Sequence, residues 1–123
     1  MAGGNYRSGC GHATDLVIKM IELKQITKTF NAGKASEFTA IEDIDLRIQA
    51  EKISVLKGPS GSGKTTLLSI IGCMARPTSG RIMVDGQETT SLPEKFLAEV
   101  RRKTFGFVFQ NYNLIKGISV LEN

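Results

Sequence analysis

The run GPSGSGKT, from Gly58 to Thr65, decides how the rest of the chain is interpreted. It places two glycines five residues apart, and Lys64 and Thr65 follow the second glycine. Consecutive backbone N–H groups in such a loop wrap an anion, and glycine permits an approach that a Cβ would block. Lys64 supplies a positive charge for the β- and γ-phosphates of a nucleotide, and the Thr65 hydroxyl suits Mg²⁺. The run therefore predicts a phosphate-binding loop, with a merely flexible Gly/Ser turn as the alternative.

The flanks of the loop favour the phosphate site over the flexible turn. Before it, Ile53 to Leu56 predicts a strand, and after it a helix is predicted from Lys64 to Met74. The apolar residues of that helix recur at helical spacing, namely Leu67, Leu68, Ile70, Ile71 and Met74. A helix that begins at the loop directs its positive end at the same anion. Strand, loop and helix thus occur in the order that the chemistry requires.

Length and composition fit one small globular domain, because the chain has 123 residues and is 41% hydrophobic. No uninterrupted apolar stretch approaches the roughly 20 residues of a spanning helix, so the chain is not predicted to be transmembrane. Residues 1–19 are Gly-rich and lack the apolar centre of a secretory signal. They are predicted to be a flexible leader or an added extension, with the domain occupying 20–123 in a cytoplasmic protein.

The cysteines and the charges argue against two other classes of site. Cys10 and Cys73 have no spacing typical of a disulfide framework or a zinc site, and Cys10 with His12 offers too few ligands for a metal. The net charge is +4, but the one basic cluster, Arg101 to Lys103, ends a helix predicted from Leu92 to Lys103. Cations complement the dipole there, so we expect a solvated helix end and no nucleic-acid partner.

The remaining pattern alternates strands and helices. Strands are predicted from Ile21 to Phe30, at the alternating Ile44, Leu46 and Ile48, and from Arg81 to Val84, with a loop from Ala32 to Thr39. A tight turn is predicted at Asp85-Gly86, a capped helix start at Ser91, Pro93 and Glu94, and a buried strand from Phe105 to Phe109. The order indicates an α/β core with mainly parallel strands and an antiparallel β attachment.

Four segments carry a resemblance to a known family: IELKQITKTF, GPSGSGKTTLL, IIGCMARPTSGRIMVDG and FGFVFQNYNLIKGISVLEN. From Met20 to Asn123 the chain closely resembles the first half of an ABC transporter nucleotide-binding domain, and looks most like the macrolide-export and lipoprotein-release branch. The resemblance implies an α/β fold: a partial P-loop NTPase core with an antiparallel β attachment, truncated before the helical signature subdomain.

The resemblance also implies ATP and Mg²⁺ as cofactors. Phe30 stands where the family places an aromatic residue that stacks on adenine; the alternative is a core phenylalanine. Gln110 matches a glutamine that reaches Mg²⁺ and the attacking water, and the loop after it contacts a membrane permease subunit; the alternative is a solvent-facing side chain. Lys64 and Gln110 are the implied catalytic residues, and Thr65 and Gln110 the metal ligands. The implied nucleotide-binding residues are Phe30, Gly58, Pro59, Ser60, Gly61, Ser62, Gly63, Lys64, Thr65 and Thr66.

Several parts of the family pattern have no counterpart in the 123 residues: the LSGGQ signature, the strand with the Walker B Asp and catalytic Glu, and the switch His. We therefore expect this chain to hold nucleotide without hydrolysing it, and to expose apolar sheet surface. The expected function is a fragment of an ATP-binding subunit that powers export or extraction. In the intact protein it would act with a permease and a second ATPase domain at the inner face of the cell membrane. The alternatives are a soluble ABC-type ATPase of translation or DNA repair, and a non-catalytic regulatory fragment.

Overall fold

The computed structural model describes residues 20–111 and 113–122, so the predicted leader, with Cys10 and His12, lies outside the described residues. Strands and helices follow one another in the order ββαββα. Their bounds are β1 Met20–Phe30, β2 Phe38–Gln49, α1 Lys64–Ile71, β3 Ser79–Val84, β4 Gln87–Glu88 and α2 Glu94–Thr104.

The four strands form one antiparallel sheet in the order β2-β1-β3-β4. In β2 the apolar side chains at Ile44, Leu46 and Ile48 are partly buried, while the polar side chains between them are exposed. This alternation confirms the predicted half-buried strand. The strand nevertheless begins at Phe38, inside the segment that the sequence predicted as a loop.

A two-residue turn joins β3 to β4, as the sequence predicted. Asp85 and Gly86 both have positive φ angles, 50° and 79°. Two positive φ angles in a two-residue hairpin loop match the right-handed twist of the flanking strands. The turn is fastened to the start of β1 because the Met20 N–H donates to Asp85 Oδ1 at 3.1 Å.

The structure corrects the predicted end of α1 and the predicted cap of α2. Helix α1 ends at Ile71, because Gly72 caps it and Cys73 takes a left-handed φ of 57°. As a result Met74 lies beyond the helix, and both it and Leu68 are exposed, so neither belongs to the buried stripe. Helix α2 begins after Pro93 with no side-chain cap, so the predicted Ser91 cap is wrong.

One hydrophobic core joins three of the strands to both helices. Side chains from β1, β2 and β3 pack with the buried faces of α1 and α2. Burying these side chains is the main favourable term in forming the domain. The core residues are Leu23, Ile26, Ile41, Leu67, Ile70, Ile71, Cys73, Ile82, Val84 and Leu97.

Two predicted strands do not form among the described residues. The segments 53–56 and 105–109 carry no strand, and Ile53 and Val108 are 94% and 99% exposed. Parallel strands need hydrogen-bonded neighbours, and in the described ranges no strand pairs with either segment. The predicted parallel core is therefore absent from this part of the chain, whereas the expected exposed apolar surface is present.

The two segments still contact the core at one point each. Leu56 and Phe105 are partly buried against it. The ring of Phe107 covers Gly72, since a Cβ at that glycine would lie 2.5 Å from the ring. Segment 105–109 thereby lies against the end of α1, where the helix stops.

Candidate nucleotide-binding site

The loop from Gly58 to Thr65 bends between segment 53–56 and α1, and two glycines make its bends possible. Gly61 and Gly63 have φ angles of 79° and 82°, a left-handed conformation that favours glycine. Gly63 also lies hard against β2, because a Cβ there would be 2.5 Å from the Ala40 carbonyl oxygen and 2.6 Å from Ile41 Cγ2. Glycine at this position therefore fixes the loop against the sheet.

The ammonium group of Lys64 is held within the loop. Its Nζ donates to the carbonyl oxygens of Gly58 at 2.8 Å and Pro59 at 2.5 Å, and to Ser62 Oγ at 3.1 Å. The loop also closes through a hydrogen bond from the Ser62 N–H to the Pro59 carbonyl oxygen at 3.3 Å. A positive charge is thus concentrated where the glycines leave space for an anion.

The beginning of α1 adds to this positive potential. The helix starts at Lys64, directly after Gly63, and its first turn contains no acidic residue. The first N–H groups of a helix have no intrahelical partner, and they point along the positive end of the dipole. Lys64, Thr65 and Thr66 therefore present both backbone donors and side chains to the same place.

These residues line a cleft of about 410 Å³ that also reaches the β1–β2 hairpin. The hairpin contributes Phe30, which is 43% exposed, so the alternative of a core phenylalanine is wrong. One face of the Phe30 ring is near the Lys28 ammonium, 5.1 Å from its centroid. The cleft is lined by Phe30, Phe38, Ala40, Ser60, Gly61, Gly63, Lys64, Thr65 and Thr66.

Sequence reasoning missed Phe38 and Ala40, which the structure places in the cleft. The sequence predicts a loop at Phe38 and gives neither residue a functional role. The sequence did contain one signal for Phe38. If the first two strands are assumed to form a hairpin, an aromatic residue near the start of the second strand is expected to lie opposite Phe30. The register of that hairpin was not readable from the sequence, and the register decides which side chains face each other.

The predicted site residues separate into three groups. Phe30, Ser60, Gly61, Gly63, Lys64, Thr65 and Thr66 meet in the cleft. Gly58, Pro59 and Ser62 are not among its lining residues, and they accept the hydrogen bonds of the Lys64 ammonium. Gln110 is exposed, and it is not among the residues that line the cleft in the described part of the chain. Its role in metal binding and catalysis stays a prediction.

The basic cluster at the end of α2 is engaged in structural contacts. Arg101 donates to the Cys73 carbonyl oxygen and pairs with Glu94, both at 2.7 Å, and Lys103 pairs with Glu99 at 2.6 Å. The hydrogen bond from Lys103 is the main cause that lowers the pKa of Glu99. These contacts agree with the predicted helix end at Arg101 and Lys103.

Two further properties of the described ranges bear on function. No group of three or more His, Cys, Asp or Glu residues in 20–111 and 113–122 could hold a metal ion. Neither helix there is long and apolar enough to cross a membrane.

Comparisons with known proteins agree with the geometry. Residues 41–123 match the family model described as ABC transporter. The macrolide export ATP-binding/permease protein MacB of Hyphomonas neptunium is 42% identical over 104 residues, which are 85% of this chain and 16% of MacB. The uncharacterized ABC transporter ATP-binding protein MJ0796 of Methanocaldococcus jannaschii is 42% identical over 104 residues, 85% of this chain and 44% of MJ0796.

A solved structure shows the same similarity in three dimensions. The dimeric post-hydrolysis state of the ATP-binding cassette MJ0796, bound to ADP and Pi, superposes with a TM-score of 0.78 at 40% identity. The match covers 83% of this chain and 44% of that one. The chain therefore spans less than half the length of the relatives it matches.

Proposed function

Because the chain belongs to the ABC transporter family, we propose that it is part of an ATP-binding subunit that binds Mg·ATP to power export or extraction across a membrane. One observation carries the proposal: the Lys64 ammonium lies inside a glycine loop at the start of α1, in a cleft that Phe30 also lines. A cation, oriented backbone donors and an exposed ring in one cleft match the parts of a nucleoside triphosphate.

The loop would hold the phosphates. Its backbone N–H groups and the Lys64 ammonium would neutralise negative charge, and Gly61 and Gly63 would supply the left-handed backbone that curves the loop around the anion. An anion that enters would compete with the loop oxygens for the Lys64 hydrogens. Gly58, Pro59 and Ser62 would position the lysine, and as part of the loop they would also help to enclose the phosphates.

The remaining site residues would bind the Mg²⁺ ion and the adenine base. Bound Mg²⁺ would supply positive charge to the phosphate oxygens, with the Thr65 hydroxyl as its ligand and Gln110 reaching it from the exposed segment. Phe30 would stack on adenine, where the Lys28 ammonium occupies one side of the ring. Thr66, beside Thr65 in the cleft, would donate to the phosphates.

The partners follow from the family. The loop after Gln110 would contact a membrane permease, and a second ATPase domain would complete the site in the intact protein, which would lie in the cytoplasm at the inner face of the membrane. The name of MacB as an export ATP-binding/permease protein supports a transporter over a soluble ATPase of translation or DNA repair.

The test is calorimetric titration of the 123-residue chain with Mg·ATP. Lys64→Met removes charge-assisted hydrogen bonds worth about 1.5–3 kcal/mol, so we expect affinity to fall about 10- to 150-fold. Lys95→Met is the matched control, because it removes the same charge from an exposed position on α2. It should leave affinity unchanged.

Circular dichroism of each variant separates loss of binding from loss of folding. A folded chain that gives no heat with Mg·ATP contradicts the proposal. So does a Lys64→Met variant that binds as tightly as the Lys95→Met control, since the loop lysine would then have no part in the site.

A further inference from the structure

A second aromatic residue of the cleft, Phe38, has no role in the function proposed above. Its side chain is 58% exposed, although a ring of this size gains most from burial in a core. It lines the same cleft as Phe30. Two exposed rings therefore border one nucleotide-sized space.

The sheet register sets these two rings side by side. Phe30 and Phe38 are direct partners where β1 pairs with β2, so their side chains project from the same face of the hairpin. The neighbouring pair, Thr29 and Thr39, adds a hydrogen bond between their hydroxyl oxygens at 3.0 Å. The end of the hairpin is therefore held closed where the rings emerge.

The turn between the rings is fastened by its own hydrogen bonds. The Lys34 N–H donates to the Asn31 carbonyl oxygen, and the Glu37 N–H to the Lys34 carbonyl oxygen, both at 3.0 Å. The Gly33 N–H donates to Glu37 Oε2 at 2.7 Å. A turn tied in this way keeps the separation of the two rings constant, which lowers the entropy lost when a planar ligand is bound.

The chemistry of the cleft divides along its length. Its polar side chains, Ser60, Lys64, Thr65 and Thr66, belong to the phosphate loop and α1, whereas the hairpin contributes two rings and Ala40. The hairpin end thus offers a flat apolar surface to a ligand, and its small Ala40 side chain leaves space in the cleft. A base would be recognised there by its face, and every base has a π-face.

We propose that Phe38 is a second stacking residue, so that the base of the bound nucleotide is held by two rings of the β1–β2 hairpin rather than by Phe30 alone. The inference rests on the proposed function of the cleft. Phe38 would position the nucleoside without touching the reacting phosphates. Stacking surfaces tolerate either purine, so the hairpin should bind the guanine of Mg·GTP as well as adenine.

Phe38→Leu tests this role, with Phe96→Leu as the matched control because Phe96 is 53% exposed on α2. Stacking of one base is worth at least about 1 kcal/mol, so Mg·ATP and Mg·GTP should each bind about fivefold more weakly to Phe38→Leu. Inorganic tripolyphosphate has no base, so its affinity should not change. Phe38→Tyr keeps the ring and should restore nucleotide binding.

A second measurement does not depend on the leucine variant. The chain contains no tryptophan, so Phe38→Trp introduces a single indole fluorophore in the cleft. We expect Mg·ATP to change its emission, tripolyphosphate to leave it unchanged, and Phe96→Trp to respond to neither.

Several results overturn the inference. If Phe38→Leu weakens the binding of ATP and tripolyphosphate equally, Phe38 only shapes the hairpin. If Phe38→Leu leaves the ATP affinity unchanged and the Phe38→Trp emission does not respond to Mg·ATP, Phe38 is not part of the site. Those outcomes leave the proposed function intact. If the folded, unsubstituted chain binds neither ATP nor tripolyphosphate, the proposed function fails first, and this inference fails with it.

Discussion

Replacing Gly63 by alanine tests whether the phosphate loop depends on its contact with β2. The added Cβ would lie 2.5 Å from the Ala40 carbonyl oxygen and 2.6 Å from Ile41 Cγ2. Real Cβ contacts are not this short, so either the loop or the strand must move. Gly61→Ala is the matched control, because Gly61 has a similar φ of 79° but a Cβ added there would meet nothing within 4 Å.

Both substitutions place an alanine in a left-handed backbone conformation, but only Gly63→Ala adds a steric clash. A left-handed conformation costs an L-residue roughly 1–2 kcal/mol, and alanine recovers about 0.4–1 kcal/mol by restricting the unfolded chain. Both contributions cancel between the variants. Overpacking adds about 1–3 kcal/mol to Gly63→Ala alone, so that variant should be less stable than Gly61→Ala by this amount.

The free energy of unfolding is measured by urea denaturation, followed by far-UV circular dichroism on the 123-residue chain. Comparable m-values in both variants would confirm that the same surface is exposed on unfolding. If Gly63→Ala and Gly61→Ala lose equal stability, the packing of the loop against β2 does not fix its position, and our explanation of Gly63 is wrong.

Three other perturbations address the packing around α1 and the sheet. Arg101→Met leaves the Cys73 carbonyl oxygen without this donor just after α1 and should cost about 1–3 kcal/mol of unfolding free energy. Lys103→Met breaks an exposed ion pair and should leave the unfolding free energy almost unchanged, so equal losses in the two variants would contradict this expectation. Burial raises the pKa of the Cys73 thiol, which makes the reactive thiolate scarce in the folded chain. With the other cysteine replaced by serine, we therefore expect a disulfide reagent to react slowly in buffer and fast in urea. Equal rates would show that the thiol is not buried. The hydrogen bond from Arg47 lowers the pKa of Glu22, so the stabilising effect of this pair is present at neutral pH and lost as the pH falls through the folded-state pKa. Between about pH 5 and 3, the melting temperature of the unsubstituted chain should therefore drop more than that of Glu22→Gln. Parallel curves of melting temperature against pH would refute the pairing.

Local signals in the sequence predicted those parts of the fold that need few distant contacts. The Asp85-Gly86 turn was correct because both residues accept positive φ angles, and this property does not depend on the rest of the chain. The start of α1 at Lys64 was correct for a similar reason, since the glycines of the loop do not continue into a helix. The resemblance to ABC transporters was confirmed by the family match over 41–123.

The ends of the helices were misjudged at both helices. Helical spacing continues to Met74, but Gly72 caps α1 and Cys73 takes a left-handed φ of 57°, and Phe107 and Arg101 then contact the chain at this end. At α2 the Ser91 pattern suggested a cap, and the helix begins at Glu94 without one. Tertiary contacts override local preference at such boundaries.

The predicted strands at 53–56 and 105–109 were wrong for the described residues because strand formation is not a local property. Their apolar and β-branched composition favours an extended chain, but a strand also needs a hydrogen-bonded neighbour. The four strands that did form pair in the order β2-β1-β3-β4 in an antiparallel sheet.

The sequence by itself determined that a glycine loop ending in Lys64 and Thr65 leads into a helix, and the residue types and their spacing predict an anion site there. Only the tertiary structure decided what shares the cleft with the loop. The register of β1 with β2 brought Phe38 beside Phe30, and the packing of Gly63 on Ala40 joined the hairpin to the loop. Neither contact can be predicted from spacing alone, because Phe30 meets Phe38 only when β1 pairs with β2, and Gly63 meets Ala40 only when the loop packs against β2.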